Sequence, residues 1–356
     1  MPTFCRHNRL LQNCPICSRE QAVELRPVVS PGAPRAGAPR ASAPSADAAR
    51  TRASGSAASR SPGGSKPGAG VRVSRLARGI DDGYRSRLVP GLRSSVDAQR
   101  LAEELAFAAG RLSRLAVDPP GCYAEIADPG GDLEERTWLA FLIAYICPAG
   151  GEDPFAAIRA VRTSWASGEQ PALEAIDGEG GPATIDGERV PEGLEAGPRT
   201  AHDPRRGLRT IEAYRSWASR AGSQAAAFTG EAAWAAQRRF ARAFERLSLS
   251  GFHRDARFDL LASLGRLGVY DLRAGALQLG GDDPVTVAAK RALGIGDPLL
   301  LERRAAELAS ACGLPLEALD LGFDNWERSR RASLGLEPGS EPDPEALAAT
   351  RAALGL

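Results

Sequence analysis

Cys5, His7, Cys14 and Cys17, near the start of the chain, form the most specific chemical pattern in the sequence, C-x-H-x6-C-x2-C. Three thiols and an imidazole within one short segment match the four soft or borderline donors that zinc takes in a tetrahedron, and the Cys14-Pro15-Ile16-Cys17 turn supplies two of them. Because protein fills all four positions, such a site stabilises a fold and leaves no place for an activated water. His7 is then a ligand and not a general base. The other readings are an unstructured segment with chance cysteines and a redox C-x-x-C, although no βαβ pattern surrounds the latter.

A second group of candidates lies far downstream, in LGGDDPVTVAAKRALGIGDPLLLERRAAELA. Here Asp282 and Asp283 precede an apolar helical pattern that carries the adjacent cations Lys290 and Arg291. A cation beside a buried face is costly unless an anion meets it. That anion is either internal, with Glu302, Glu307 or Asp271 as candidates, or a bound phosphate or pyrophosphate. Gly294-Ile295-Gly296 between two helices resembles a helix-hairpin-helix, whose backbone N–H groups hold a DNA phosphate. Asp297 and Pro298 fill positions where that motif offers free donors, so Asp297 reads as an N-cap. Upstream, Arg239, Arg242 and Arg246 recur at i, i+3, i+7, opposite an apolar face of Phe240, Phe244 and Leu247. This stripe suits either a row of phosphates or a solvated face paired with acids such as Glu245.

These residues need helices to position them, and the sequence announces helices by their caps. Ser95 precedes a pattern running to Val117, Asp132 precedes LEERTWLAFLIAYIC, and Asp-Pro pairs at 153, 283 and 297 open three more. The segment 133–147 is apolar almost all round after Arg136, which places it at the centre of a domain. Further helices are expected over 211–228, 231–247 and 256–267. No long period-2 alternation of β-branched residues interrupts them, and the expected fold is all-α.

Composition divides the chain. Residues 26–80 carry ten basic side chains against Asp47 alone, a charge of +9, while residues 81–356 sum to −9. From about Pro27 to Gly70 the only large apolar residues are two valines, so the segment cannot bury enough to offset its ordering entropy. It reads as a disordered basic linker, either a tether or an arm that holds nucleic acid by counterion release. Eight acids against Arg189 make 168–198 strongly acidic, and residues 168–208 read as an exposed insertion. The expected organisation is a zinc knuckle at 1–25, linker at 26–83, helical catalytic body at 84–330 and a tail at 331–356 that ends in a weak helix. Six cysteines, no long apolar run and no signal peptide make a reduced, cytoplasmic protein without a membrane contact the expectation.

EERTWLAFLIAYICPAGGEDPFAAI, TGEAAWAAQRRFARAFERL, AAKRALGIGD and LPLEALDLGFDNWE resemble the α-glutamyl/putrescinyl-thymine pyrophosphorylase proteins, specifically their third clade, over about residues 85–330. FCRHNRLLQNCPIC resembles the zinc-knuckle segment of bacterial members. The resemblance implies a helical body related to DNA glycosylases and a transferase that acts on pyrophosphorylated 5-hydroxymethyluracil in DNA. An amine displaces pyrophosphate at the exocyclic carbon. Such chemistry needs a pocket for an extruded base, cations for the leaving group and a carboxylate for the amine. Asp283, Lys290 and Arg291 are the catalytic candidates, expected to share one cavity with Arg239 and Arg242; Arg239, Arg242 and Arg246 are the DNA-binding candidates. Trp138, Tyr145, Trp217 and Trp234 are candidates to stack on the base. A glycosylase-like enzyme that uses Asp283, and a non-catalytic nucleic-acid or protein adaptor, are the competing functions.

Overall fold

The computed structural model describes residues 79–177, 184–185, 188–189, 194–328, 330–337 and 340–356. The proposed zinc ligands and nearly all of the basic linker lie outside the described residues. What is described is helical, as the caps imply, with one two-residue antiparallel ladder, β1 (Thr184–Ile185) and β2 (Glu188–Arg189).

Helix α1 (Ser95–Val117) begins one residue earlier than expected, because Ser94 and not Ser95 accepts the Asp97 N–H. After the short α2 (Cys122–Ala127) comes α3 (Leu133–Ile146), capped by Asp132 and buried continuously from Thr137 to Ile146. Its ring side chains are stacked inside the core: Trp138 lies against Phe141, and Phe141 against both Tyr145 and Tyr214. The two acids of its first turn satisfy neighbouring backbone. Glu134 accepts the Gln224 and Ala225 N–H groups, and Glu135 accepts those of Trp165 and Ala166.

Helices α4 (Ala156–Val161) and α5 (Glu174–Asp177) are short. The expected helix over 211–228 is two, α6 (Gly207–Arg220) and α7 (Gln224–Thr229), separated at Gly222 and restarted by the Ser223 cap. Helix α8 (Ala236–Arg246) starts five residues later than its pattern implied, and α9 (Arg254–Arg266) follows. Asp283 and Asp297 cap α10 (Pro284–Leu293) and α11 (Pro298–Cys312), each accepting the N–H three residues on. Helices α12 (Leu316–Glu327) and α13 (Pro344–Leu354) complete the chain.

Packing forms two groups. Helix α1 is flanked by α12 and α13, with α10 on α12 and α11 on α13. Helix α3 packs with α2, α4, α7 and α9, and α9 also reaches α1. Close approach fixes one junction: Gly91 donates to the Ala292 carbonyl at 3.0 Å, and a Cβ on Gly91 would lie 2.0 Å from the Arg291 carbonyl oxygen.

Three expectations about organisation are corrected. The stretch 168–208 is not wholly an exposed insertion, because Leu173, Arg199 and Ala201 are buried and Ala201 donates to the Tyr145 carbonyl at 2.9 Å. Nor is 331–356 a detached tail. Thr350 and Leu354 are buried, and the Tyr84 hydroxyl donates to the Leu354 carbonyl at 2.6 Å. The body also begins before residue 84, since Asp82 accepts the Ser95 N–H at 3.0 Å.

Candidate functional site

Four acids lie within apolar helices, and they set the geometry of the site. Asp255 and Asp259 stand four residues apart on α9, and Asp320 and Asp324 four apart on α12, so each pair shares one helix face. Between them sits Arg199, whose side chain is 0 % exposed. Its guanidinium meets Asp259 at 2.8 Å, Asp320 at 2.6 Å and Asp324 at 3.4 Å. Arg254 bridges Asp320 and Asp255, and Arg328 bridges Asp324 at 2.8 Å and Asp255 at 3.4 Å.

Three arginines thus meet four aspartates, all buried except the partly exposed Arg328. Burial works against the charge on Arg199, but Asp259, Asp324 and Asp320 outweigh it and hold the guanidinium protonated. Burial also pushes Asp259 up to about 6 against the pull of Arg199. Burial raises Asp255 too, yet Arg199, Arg254 and Arg328 together keep it below the usual carboxylate range.

One side of this network, Arg199, Arg254, Asp255 and Arg328, lines a cavity of about 490 Å³. Its walls are Pro198, Arg199 and Thr200; His253, Arg254 and Asp255 at the start of α9; Gly281, Asp282, Asp283 and Pro284 at the start of α10; and Arg328 at the end of α12. The N-termini of α9 and α10 therefore both face it with the positive ends of their helix dipoles; α9 has no side-chain cap, whereas α10 opens on Pro284, which has no N–H. Asp283 is half-buried, and its carboxylate accepts from the Thr286 N–H at 2.9 Å and the Thr286 hydroxyl at 2.8 Å. The loop before it is held from below. Glu302 accepts the Leu277 and Leu279 N–H groups, and Glu317 accepts that of Ala274.

Of the residues singled out in the sequence, Asp282 and Asp283 line this cavity. Lys290 stays near it, with its ammonium 3.4 Å from the Gly281 carbonyl. Arg291 points elsewhere, because one residue along a helix turns the side chain by about 100°. It lies over the Trp326 ring and pairs with Glu327 at 3.1 Å and Asp97 at 3.5 Å, so its counter-ions are internal and differ from those expected. Arg239 pairs with Asp271, and Arg242 with Glu245 at 2.9 Å. The shared cavity of Asp283, Lys290, Arg291, Arg239 and Arg242 is therefore not what the structure shows.

Trp138, Tyr145 and Trp217 are core side chains and cannot take a base, whereas Trp234 is half-buried. The planar groups at the cavity are instead the His253 ring and the Arg254 and Arg328 guanidinium groups. The cavity residues missed in the sequence had a readable signal, the D-x3-D spacing of Asp255/Asp259 and Asp320/Asp324 inside apolar helices. Among the described residues, no cluster of His, Cys, Asp and Glu is placed to hold a metal ion, and no helix is long and apolar enough to cross a membrane.

A mainly helical body with a charged cavity, lined in part by a buried arginine–aspartate network, is the class of protein that fold and site define. Residues 198–321, about a third of the chain, match the family model described as Alpha-glutamyl/putrescinyl thymine pyrophosphorylase clade 3. No curated protein and no solved structure matches the chain. The matched segment contains every cavity residue except Arg328.

Proposed function

We propose that the protein is a base-modifying transferase on DNA that replaces pyrophosphate on a hydroxymethyluracil-derived base with an amine. The observation that carries this reading is the cavity at the centre of the matched segment, where the Asp283 carboxylate faces the same space as Arg254, Arg328 and two helix N-termini. Its volume lies in the range that encloses a small molecule or a single extruded base.

The chemistry divides accordingly. The amine nitrogen attacks the exocyclic carbon as the C–O bond to pyrophosphate breaks, and the bonding pair leaves with the oxygen. Arg254, Arg328, His253 and the N–H groups at the uncapped start of α9 stabilise the charge that grows on the leaving group. Asp283 orients the amine and accepts the proton it loses as the C–N bond forms. Asp282, exposed at the rim, adds a second negative charge that favours an incoming ammonium group.

The test is incubation of the purified chain with duplex DNA carrying pyrophosphorylated hydroxymethyluracil and a panel of amines, followed by digestion to nucleosides and mass spectrometry. The expected product is an aminated thymidine together with released pyrophosphate. Free base in the supernatant would instead mark a glycosylase, and unchanged DNA a binding protein.

A structural zinc ion on Cys5, His7, Cys14 and Cys17 is part of the same proposal, resting on three thiolates and an imidazole at knuckle spacing. When bound, zinc ties this segment into a fold. One zinc per chain by metal analysis is expected, with loss of zinc in Cys14→Ser/Cys17→Ser; zinc-free wild-type protein would refute the site.

A further inference from the structure

The arginines of α8 do not form the stripe that their sequence spacing implies. Arg239 is turned inward, its side chain only 13 % exposed, with its guanidinium on Asp271 and on the Ala232 carbonyl. The outward stripe is Arg238, Arg242 and Arg246, at i, i+4 and i+8, and it is continued on its N-terminal side by Trp234. The guanidinium groups of Arg238 and Arg246 lie over the Trp234 ring, 5.2 and 5.9 Å from its centroid. The ring is held in turn against Gly230, whose φ of +61° suits glycine; a Cβ there would come within 2.8 Å of the indole.

We propose that this stripe is a docking surface for the phosphate backbone of one strand of duplex DNA, leading that strand to the cavity. The partner's identity as DNA rests on the function proposed above; the surface rests on its own geometry. Helix α8 carries four arginines against the single acid Glu245, on a body whose residues 81–356 sum to −9. Charge complementarity therefore selects this face for a polyanion. Side chains at i, i+4 and i+8 repeat about every 6 Å along the helix, a step comparable to that between successive phosphates on a strand.

Trp234 restrains two of the guanidinium groups, so less rotamer freedom is lost when they meet phosphate. The Arg242–Glu245 pair is half exposed on both sides, the kind of surface pair that contributes little and yields readily to a stronger anion. Position links the stripe to the chemistry. Arg246 ends α8, and residues 247–252 carry the chain directly to His253 at the cavity wall. On the far side of that loop, Thr210 of α6 holds the Ser250 carbonyl at 3.0 Å, next to the exposed Arg206 and Arg209.

The experiment is fluorescence anisotropy of the full chain on unmodified duplex DNA over a range of salt concentrations. It compares wild type with Arg238→Gln/Arg242→Gln/Arg246→Gln, and with a control of equal charge change elsewhere, Arg114→Gln/Arg303→Gln/Arg304→Gln. Glutamine keeps helix propensity, and the basic segment 26–80 is common to all three proteins. Neutralising three phosphate contacts is expected to flatten the slope of log K against log salt by about 2 to 3 units and to weaken binding at least tenfold at low salt, with the control within about twofold of wild type.

An unchanged slope, equal losses in the control, or no duplex binding by wild type would each overturn the surface. A loss seen on RNA or single-stranded DNA but not on duplex would overturn the assigned partner. Since the DNA carries no modified base, these outcomes are independent of whether amine transfer occurs.

Discussion

Arg199→Ala is expected to destabilise the body by about 3–5 kcal/mol, because it strands carboxylates that are already out of water. Asp259, Asp320 and Asp324 all depend on this one guanidinium, and only Asp320 and Asp324 have a second arginine. Each kcal/mol is worth about 2–4 °C in a domain of this size, so a fall in Tm of roughly 10 °C is the signature. Its pH dependence follows from burial. A carboxyl raised in the folded state gives stability that is present at low pH and lost as pH rises through the folded value. In wild type, Asp259 stands at about 6 even with Arg199 beside it, and without that cation it moves higher. The gap between variant and wild type therefore narrows as pH is lowered from the variant's higher value towards about 6 and levels off below it, where Asp259 is protonated in both proteins. Thermal melts across that range check both statements; a gap below about 1 kcal/mol at pH 7, or one that widens on acidification, would show that the network is not structural.

How much of this was legible depended on how local the determining contact is. Asp132, Asp283 and Asp297 were readable as caps because the carboxylate that starts each helix bonds an N–H only three residues away. The burial of α3 was readable from apolar residues on every face, and the family from stretches that the matched segment overlaps.

Arg199 was not legible. It sits in a Gly/Pro-rich stretch after a run of acids, and its partners lie 60 and 121 residues away, so no local pattern marks it. The outward face of α8 was misread by one residue. A run of alternating arginines fixes its register only once the start of the helix and the position of Asp271 are known. Arg291 illustrates the same limit: its need for an anion, internal or bound, was evident from the apolar helix around it, yet Asp97 and Glu327 come from two other helices. The cavity itself was half visible. Its carboxylate was found at Asp283, while its cations Arg254 and Arg328 were overlooked, although the D-x3-D pairs that hold them stand plainly in the sequence.

Asp283→Asn separates the cap that this carboxylate forms from the acid–base role proposed for it. As the cap of α10 it accepts the Thr286 N–H and hydroxyl, and asparagine is about as good an N-cap as aspartate. The variant is therefore expected to melt within a few degrees of wild type and to bind DNA unchanged, whereas Asp283→Ala loses about 1 kcal/mol with the cap. Chemistry depends on a different property. An amide can neither pair with an ammonium group nor accept the proton released when the amine becomes bonded to carbon, and loss of a positioned acid–base group typically costs about 10²- to 10⁴-fold. Amine transfer by Asp283→Asn, measured by mass spectrometry of digested DNA under single-turnover conditions, is expected to fall into that range at saturating amine. A rise in the amine concentration needed for half-maximal rate would accompany it if the carboxylate also binds ammonium. Should Asp283→Asn transfer amine within about threefold of wild type, the carboxylate is only a cap, and the proton acceptor must be sought among the other acids at the cavity, Asp282 and Asp255.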